Sequence, residues 1–184
     1  MDYIREQFDI RDCKGKERTR QHRNTCEHLQ TLKKYAEKVD VITEFGTGAG
    51  NATFALLMGN PKKLTTYDIN PTINVKKVQK DVGKYMEFNC IKADTSKIEI
   101  ENTDLLFIDS LHTYKHLSKE LELHSESVNK YMMFHDTVTF GRNDQRSDGP
   151  GLMTAIEEFI EKNPRWSIIE HFEYQHGLTV LEKK

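Results

Sequence analysis

Two kinds of hydrophobic pattern alternate along the chain, and their order predicts the fold. Between Thr25 and Val39, the residues Leu29, Leu32, Tyr35, Ala36 and Val39 recur at helical spacing, which marks an amphipathic helix. Asn24 or Thr25 is placed to cap it, with Glu27 and His28 in its first turn. VITEFG (41–46) then reads as a short apolar strand, TGAG as a glycine turn and NATFALLMG as a helix, the opening of a βαβ unit. KLTTYDI (63–69) predicts a second strand. PTINVKKVQKDVGKY predicts a helix with Pro71 near its first turn, where proline is tolerated. MEFNCIKAD (86–94) predicts a third strand. TDLLFIDS (103–110) is an almost unbroken apolar run, as expected of a central parallel strand buried on both faces.

Thr113 to Asn129 predicts a helix with Leu117, Leu121 and Val128 inward, and KYMMFHDT (130–137) another strand. Gly141 to Pro150 is a polar loop, and Gly151 to Asn163 a helix with Leu152, Ile156, Phe159 and Ile160 on one face. WSIIEHFEYQHGLTVLEKK closes as a hairpin turning near Gln175–Gly177. Strands alternating with helices imply an α/β fold with helices on both sides of a mostly parallel sheet. Five βα units and a hairpin make it doubly wound and seven-stranded, Rossmann-like, with the last strand antiparallel.

The length, 184 residues, suits one domain. Residues 25–184 form it. Residues 1–24 are polar, with a basic stretch at Arg11, Lys14, Lys16, Arg18, Arg20 and Arg23; they read as a solvated N-terminal arm, the alternatives being a lid, contributed by Lys14, Arg18 and Arg20, or a contact with an anionic partner. Net charge is −2, so no field that gathers nucleic acid is expected. Cys13, Cys26 and Cys90 are odd in number and contain no CxxC pair. That pattern argues against disulfides and structural zinc and for a reducing, cytoplasmic location. No stretch has the apolar length of a signal peptide or a membrane span.

In such a sheet, ligands bind beyond the carboxyl ends of the strands, where the strand order reverses. Each of those ends carries an acid: Glu44, Asp68, Asp94, Asp109 and Asp136. The first turn, EFGTGAG, spaces its glycines as G-x-G-x-G. That is one residue short of the dinucleotide fingerprint, and Glu44 suits a cationic ligand better than a pyrophosphate. Asp68 can accept both hydroxyls of a ribose, and Asp94 can meet an adenine amino group.

EFGTGAG, then YDIN, then KAD resemble motif I, the following acid and the adenine-side motif of class I S-adenosylmethionine (SAM)-dependent methyltransferases. DLLFIDSLHTYKHLSKELELHSESVNKYMMFHDT and the tail GLMTAIEEFIEKNPRW…GLTVLEK are similar to methyltransferase family 24, the cephalosporin hydroxylase-like and macrolide-sugar O-methyltransferase group. The resemblance runs from about residue 25 to the end. It implies SAM contacts at Glu44, Gly46, Thr47, Gly48, Gly50, Asp68, Ile69, Asp94, Thr95 and Asp109. It also implies a divalent ion, Mg²⁺ or Mn²⁺, on Asp109 and Asp136. His135 stands where relatives often carry a second acid, and is the third candidate ligand.

His112, three residues after Asp109, is the candidate general base, since His titrates near working pH. Tyr114 is expected to wall the pocket, Thr137 to bond Asp136, and His28 and Glu27 to line the methionine end. His116 and His124 are expected on the surface. Arg142 and Arg146, in the loop beside the metal, could meet an anionic acceptor. The chemistry expected is O-methylation of a sugar or small-molecule hydroxyl. The absence of a proline pair after the fourth strand and the charge balance weigh against a nucleic-acid methyltransferase. Glycine spacing weighs against a NAD oxidoreductase. A non-catalytic SAM binder, or action on a protein, remains an alternative. With no cap domain, the pocket would be finished by a homo-oligomer or by an acceptor presented on another molecule.

Overall fold

A computed structural model describes residues 1–13, 25–146 and 149–184. The strands are β1 (Val41–Phe45), β2 (Lys63–Asp68), β3 (Glu87–Lys92), β4 (Thr103–Ile108), β5 (Val128–His135), β6 (Trp166–Phe172) and β7 (Leu178–Lys183). They form one sheet in the order β3-β2-β1-β4-β5-β7-β6. β1 to β5 pair in parallel, while β7 runs antiparallel to both β5 and β6. The strand order reverses at β1, between β2 and β4, and the doubly wound expectation holds.

The helices are α1 (Asp2–Arg11), α2 (Leu29–Ala36), α3 (Asn51–Met58), α4 (Val75–Val82), α5 (Tyr114–His124) and α6 (Leu152–Lys162). The first four pack on one face of the sheet, and α5 and α6 on the other. β4 shows why its sequence is apolar throughout. Leu105 and Phe107 face the first layer, Leu106 and Ile108 the second, and all four are buried.

Several boundaries differ from the pattern-based expectation. The first eleven residues are no solvated arm: α1 buries Ile4 and Phe8, one turn apart, against α3 and α4. Its start is tied to α4 by Ile4 N, which donates to Asp81 Oδ2 at 3.0 Å. Lys14, Arg18 and Arg20 lie outside the described residues. α2 begins at Leu29, and Thr25 does not cap it; His28 occupies that position without a side-chain cap, and Asn24 lies outside the described residues. Pro71 precedes α4, which is capped instead by Asn74, whose Oδ1 accepts from Lys77 N. Val128 opens β5 rather than closing α5. The third connection holds only a 3-10 turn, Thr95–Lys97, so β3 is not followed by an α-helix.

The cysteine reading is also corrected. Cys13 and Cys26 form a disulfide, leaving Cys90 as the free thiol among the described residues. The end of α1 and the turn before α2 meet with Cα atoms 5.4 Å apart, well inside bridging range. Cysteine parity carries no information about that proximity. No helix among the described residues is long and apolar enough to cross a membrane.

Candidate functional site

The carboxyl ends of β1 to β4 and the loop after β5 border a cleft of about 580 Å³. Its walls include Gly46, Asp68, Ile69, Asp94, Thr95 and Asp109, together with Tyr67, Ser110, Leu111, His112 and Gln145. The turn after β1 makes the floor. Gly46 takes φ +91°, and a Cβ there would lie 1.9 Å from the Asp109 carbonyl oxygen. Only glycine lets the end of β1 pass so near the end of β4. Asp68 Oδ2 accepts from Gly48 N at 2.8 Å and Oδ1 from Asn70 N at 2.6 Å, so the β2 acid and the glycine turn are held as one unit. Ile69 beside it is 70% exposed, an apolar surface facing solvent.

Beneath the turn lies Glu44, completely buried. Its Oε2 accepts from Thr53 Oγ1 of α3 at 2.6 Å, while Oε1 has no partner. Burial pushes its carboxyl up to about 7, against the opposing bonds from Thr53 and Thr66. Thr47 is turned inward as well, its hydroxyl 2.5 Å from that of Thr66. Gly48 and Gly50 shape the turn, and Gly50 precedes α3 in the left-handed region. Asp94 borders the cleft and also caps the 3-10 turn. It accepts from Ser96 N at 3.1 Å and Ser96 Oγ at 2.6 Å, and pairs with Lys97 at 2.7 Å. Those contacts, Lys97 foremost, hold its carboxyl down at about 2.

At the far end of the cleft, Asp109, His112 and Asp136 converge, one ligand atom from each lying within 4.8 Å of the others. His112 Nε2 is 3.1 Å from Asp109 Oδ1 and 3.1 Å from Asp136 Oδ2. Its ring is stacked on Phe140, centroids 5.1 Å apart and planes 7° from parallel. Asp136 sits at φ +60°, which turns its side chain back toward β4. His135, expected as the third ligand, stands outside this group. It is buried behind the carboxylates, with Nδ1 3.4 Å from Asp109 Oδ1 and 3.2 Å from Asp136 Oδ2.

Burial alone would raise the Asp109 carboxyl, but the charge of His135 and bonds from both histidines outweigh it and hold it well below the usual range. Burial would lower His135, yet the two carboxylates raise it to about 10. His112 is raised for the same reason, against its own burial. The imidazoles thus supply the positive charge two close carboxylates need. With its proton gone, the His112 nitrogen and one oxygen from each of Asp109 and Asp136 lie close enough together to form a donor set that fits a small divalent cation.

Other residues sit differently from expectation. His28 is buried in α2's cap and is bonded to the hairpin: its Nε2 lies 3.2 Å from the carbonyls of Tyr174 and Gln175. Burial drives its pKa down to about 4, so it is a neutral strut rather than a cleft residue. Glu27 contributes its amide, which donates to Gln175 Oε1 at 3.0 Å. Thr137 Oγ1 accepts from Thr179 Oγ1 at 2.9 Å, in place of the expected bond to the Asp136 carboxylate. Tyr114 donates to Glu158 of α6 at 2.6 Å and is not among the residues lining this cleft. His124 is fully buried and His116 half-buried, neither on the surface.

Pattern reading missed Glu120. Fully buried, it accepts from Thr95 Oγ1 at 2.5 Å and Ser110 Oγ at 2.8 Å, and pairs with His116 at 3.1 Å. It joins the loops after β3 and β4, two walls of the cleft. The signal was present: Leu117, Glu120, Leu121 and His124 share the inward face of α5 at spacings of three and four.

Known proteins place this architecture. An N-methyltransferase, NodS from Bradyrhizobium japonicum, solved with S-adenosyl-L-homocysteine (SAH), aligns with TM-score 0.65 at 14% identity, over 99% of this chain and 97% of that one. A Podospora anserina methyltransferase bound to SAH aligns with TM-score 0.63 at 16% identity, over 100% and 88%. Magnesium protoporphyrin IX methyltransferase from Synechocystis, also with SAH, aligns with TM-score 0.58 at 14% identity, over 84% and 81%. At such identities the likeness is one of fold. Among curated proteins, none matches this sequence. The family described as rhamnosyl O-methyltransferase/CmcI matches residues 35–184, from α2 to the last residue, and the chain belongs to that family of SAM-dependent methyltransferases.

Proposed function

We propose that the chain moves the methyl group of SAM to a hydroxyl of a sugar or other small molecule, with His112 receiving the hydroxyl proton. The observation that carries this reading is the convergence of Asp109, His112 and Asp136 at the edge of a cleft of about 580 Å³. The family description, a rhamnosyl O-methyltransferase, supports a sugar hydroxyl. Asp68 would take the ribose hydroxyls and Ile69 would pack on the adenine, while Glu44, expected as a contact of the donor, is buried beneath the turn and outside the cleft lining.

The sulfonium is already activated, so the transfer asks for alignment and a deprotonated acceptor. The acceptor oxygen forms the new O–CH₃ bond as the C–S bond breaks. The bonding pair stays on sulfur, giving SAH, and the proton passes to His112. Both carboxylates, 3.1 Å from Nε2, stabilise the imidazolium that results. Phe140 holds the ring in plane for that transfer. Asp109 and Asp136 would hold Mg²⁺ or Mn²⁺, leaving His112 to take the proton, and such an ion lowers the pKa of a coordinated hydroxyl.

The test is transfer of labelled methyl to a panel of sugars and small hydroxyl compounds, with EDTA and after Mg²⁺ or Mn²⁺ is restored. His112→Ala is expected to lose about 10²- to 10⁴-fold in rate while SAH affinity is retained. Full rate in His112→Ala would remove its role as base. SAH binding without transfer to any acceptor would favour the binding-protein reading. Activity unchanged in EDTA would remove the ion.

A further inference from the structure

A second cleft, of about 510 Å³, opens beside the first. The two share Ser96, Leu111, His116 and Arg146, so a ligand in one is in reach of a ligand in the other. Each falls within the roughly 300–1,000 Å³ of small-molecule sites, and one donor does not need both. The second cleft lies between the start of α5, the 3-10 turn after β3 and the loop after β5. That loop is fastened to the catalytic side by Gln145 N, which donates to the His112 carbonyl at 2.8 Å.

The lining is rich in cations. Lys115, Lys119 and Arg146 all border the cleft, with His116 at the junction. Two acids also border it, against the three cations. Glu122 is paired with Lys119 at 2.8 Å, and Asp144 Oδ1 accepts from Arg146 N at 2.9 Å. Lys115 and Arg146 have no carboxylate partner among the described residues. The hydroxyl of Ser118 completes a polar wall, and the positive end of the α5 dipole adds to the same field. An arginine fork and a lysine in one groove recognise phosphate oxygens well.

We propose that this cleft seats a phosphate or diphosphate group of the methyl acceptor, so that the substrate is a phosphorylated sugar or similar phosphoester rather than a neutral one. The inference rests on the methyltransferase reading, because it assigns the first cleft to SAM. It makes Lys115 and Arg146 specificity residues that touch the acceptor away from the reacting oxygen.

The experiment uses the whole chain, saturated with SAH and with EDTA present so that no cation carries the anion. Inorganic pyrophosphate and inorganic phosphate are titrated by calorimetry at 0.15 M salt, roughly the ionic strength at which diffuse surface attraction is screened beyond about 8 Å. Saturable pyrophosphate binding is expected. It should weaken at least tenfold in Lys115→Ala/Arg146→Ala, and stay unchanged in a charge-matched control on the opposite face, Lys76→Ala/Lys80→Ala in α4. Lys115→Ala alone, at a residue that borders the second cleft but not the first, should weaken pyrophosphate binding and leave SAH affinity equal to that of the wild type and of the control.

Phosphate binding as tightly as pyrophosphate would assign a monophosphate; tighter pyrophosphate would assign a diphosphate. No saturable binding, equal binding in both double variants, or binding that SAH abolishes would overturn the proposal. The last outcome would mean one ligand spans both clefts. If SAH gives no heat while pyrophosphate binds and Lys115→Ala/Arg146→Ala loses it, the methyltransferase reading fails and the anion site stands.

Discussion

Replacing Gly46 by alanine should separate two demands made on the glycine turn. Gly46 and Gly48 both have positive φ, +91° and +47°. Their surroundings differ. A Cβ on Gly48 meets nothing within 4 Å, whereas one on Gly46 would lie 1.9 Å from the Asp109 carbonyl oxygen and 2.6 Å from its carbon. Those atoms are backbone at the end of a buried central strand, so they cannot swing aside. Left-handed backbone costs an alanine about 1–2 kcal/mol. Forcing extra volume into a packed site adds about 1–3 kcal/mol. Gly48→Ala should therefore lose about 1–2 kcal/mol, from conformation alone, and Gly46→Ala about 2–5 kcal/mol, from both effects. At this chain length 1 kcal/mol moves Tm by about 2–4 °C. Thermal unfolding followed by circular dichroism should place Gly46→Ala about 2–12 °C below Gly48→Ala, from an added penalty of about 1–3 kcal/mol. SAH calorimetry should show the larger loss for Gly46→Ala too, because Asp109 and the cleft floor move together. If the two variants melt alike, the close passage of β1 over β4 is not what requires glycine.

Three further outcomes follow from particular groups. Glu44 has a folded pKa of about 7 against an ordinary 4.5, so its protonated form is favoured by folding. That contribution is complete below pH 4.5 and is lost as pH rises through 7. Glu44→Gln should remove a decline of about 3 kcal/mol between those limits, read from denaturant unfolding of the ligand-free protein; an unchanged slope would contradict it. Asp68→Ala should weaken SAH binding about a hundredfold or more, through two lost hydrogen bonds to a charged acceptor, and wild-type affinity would move the ribose elsewhere. Cys13 and Cys26 are 13 residues apart in sequence, and a bridge closing a loop of that size contributes about 3 kcal/mol. Dithiothreitol should lower Tm by about 6–12 °C in the wild type and leave Cys13→Ser/Cys26→Ser unmoved; equal melting with and without reductant would argue that the bridge does not form.

Periodicity and turn chemistry determined much of this protein. Strands show as apolar runs, and a parallel strand covered on both faces, such as β4, has no polar alternation to obscure it. EFGTGAG marks a tight turn because glycine alone tolerates its backbone. The rule that ligands gather beyond strand ends then picks out Asp68, Asp94, Asp109, His112 and Asp136 without any coordinates. α1 escaped because two buried side chains, Ile4 and Phe8, are too few to stand out among charges. Only the tertiary structure decided which groups touch. It brought Cys13 to Cys26 and set His112 rather than His135 in the donor group. It also buried Glu120 between two loop ends and opened a second cleft beside the first. Sequence patterns record which face of an element is apolar, since that follows from local geometry. Contacts between polar atoms depend on how whole elements are placed against one another, and no local period encodes that placement.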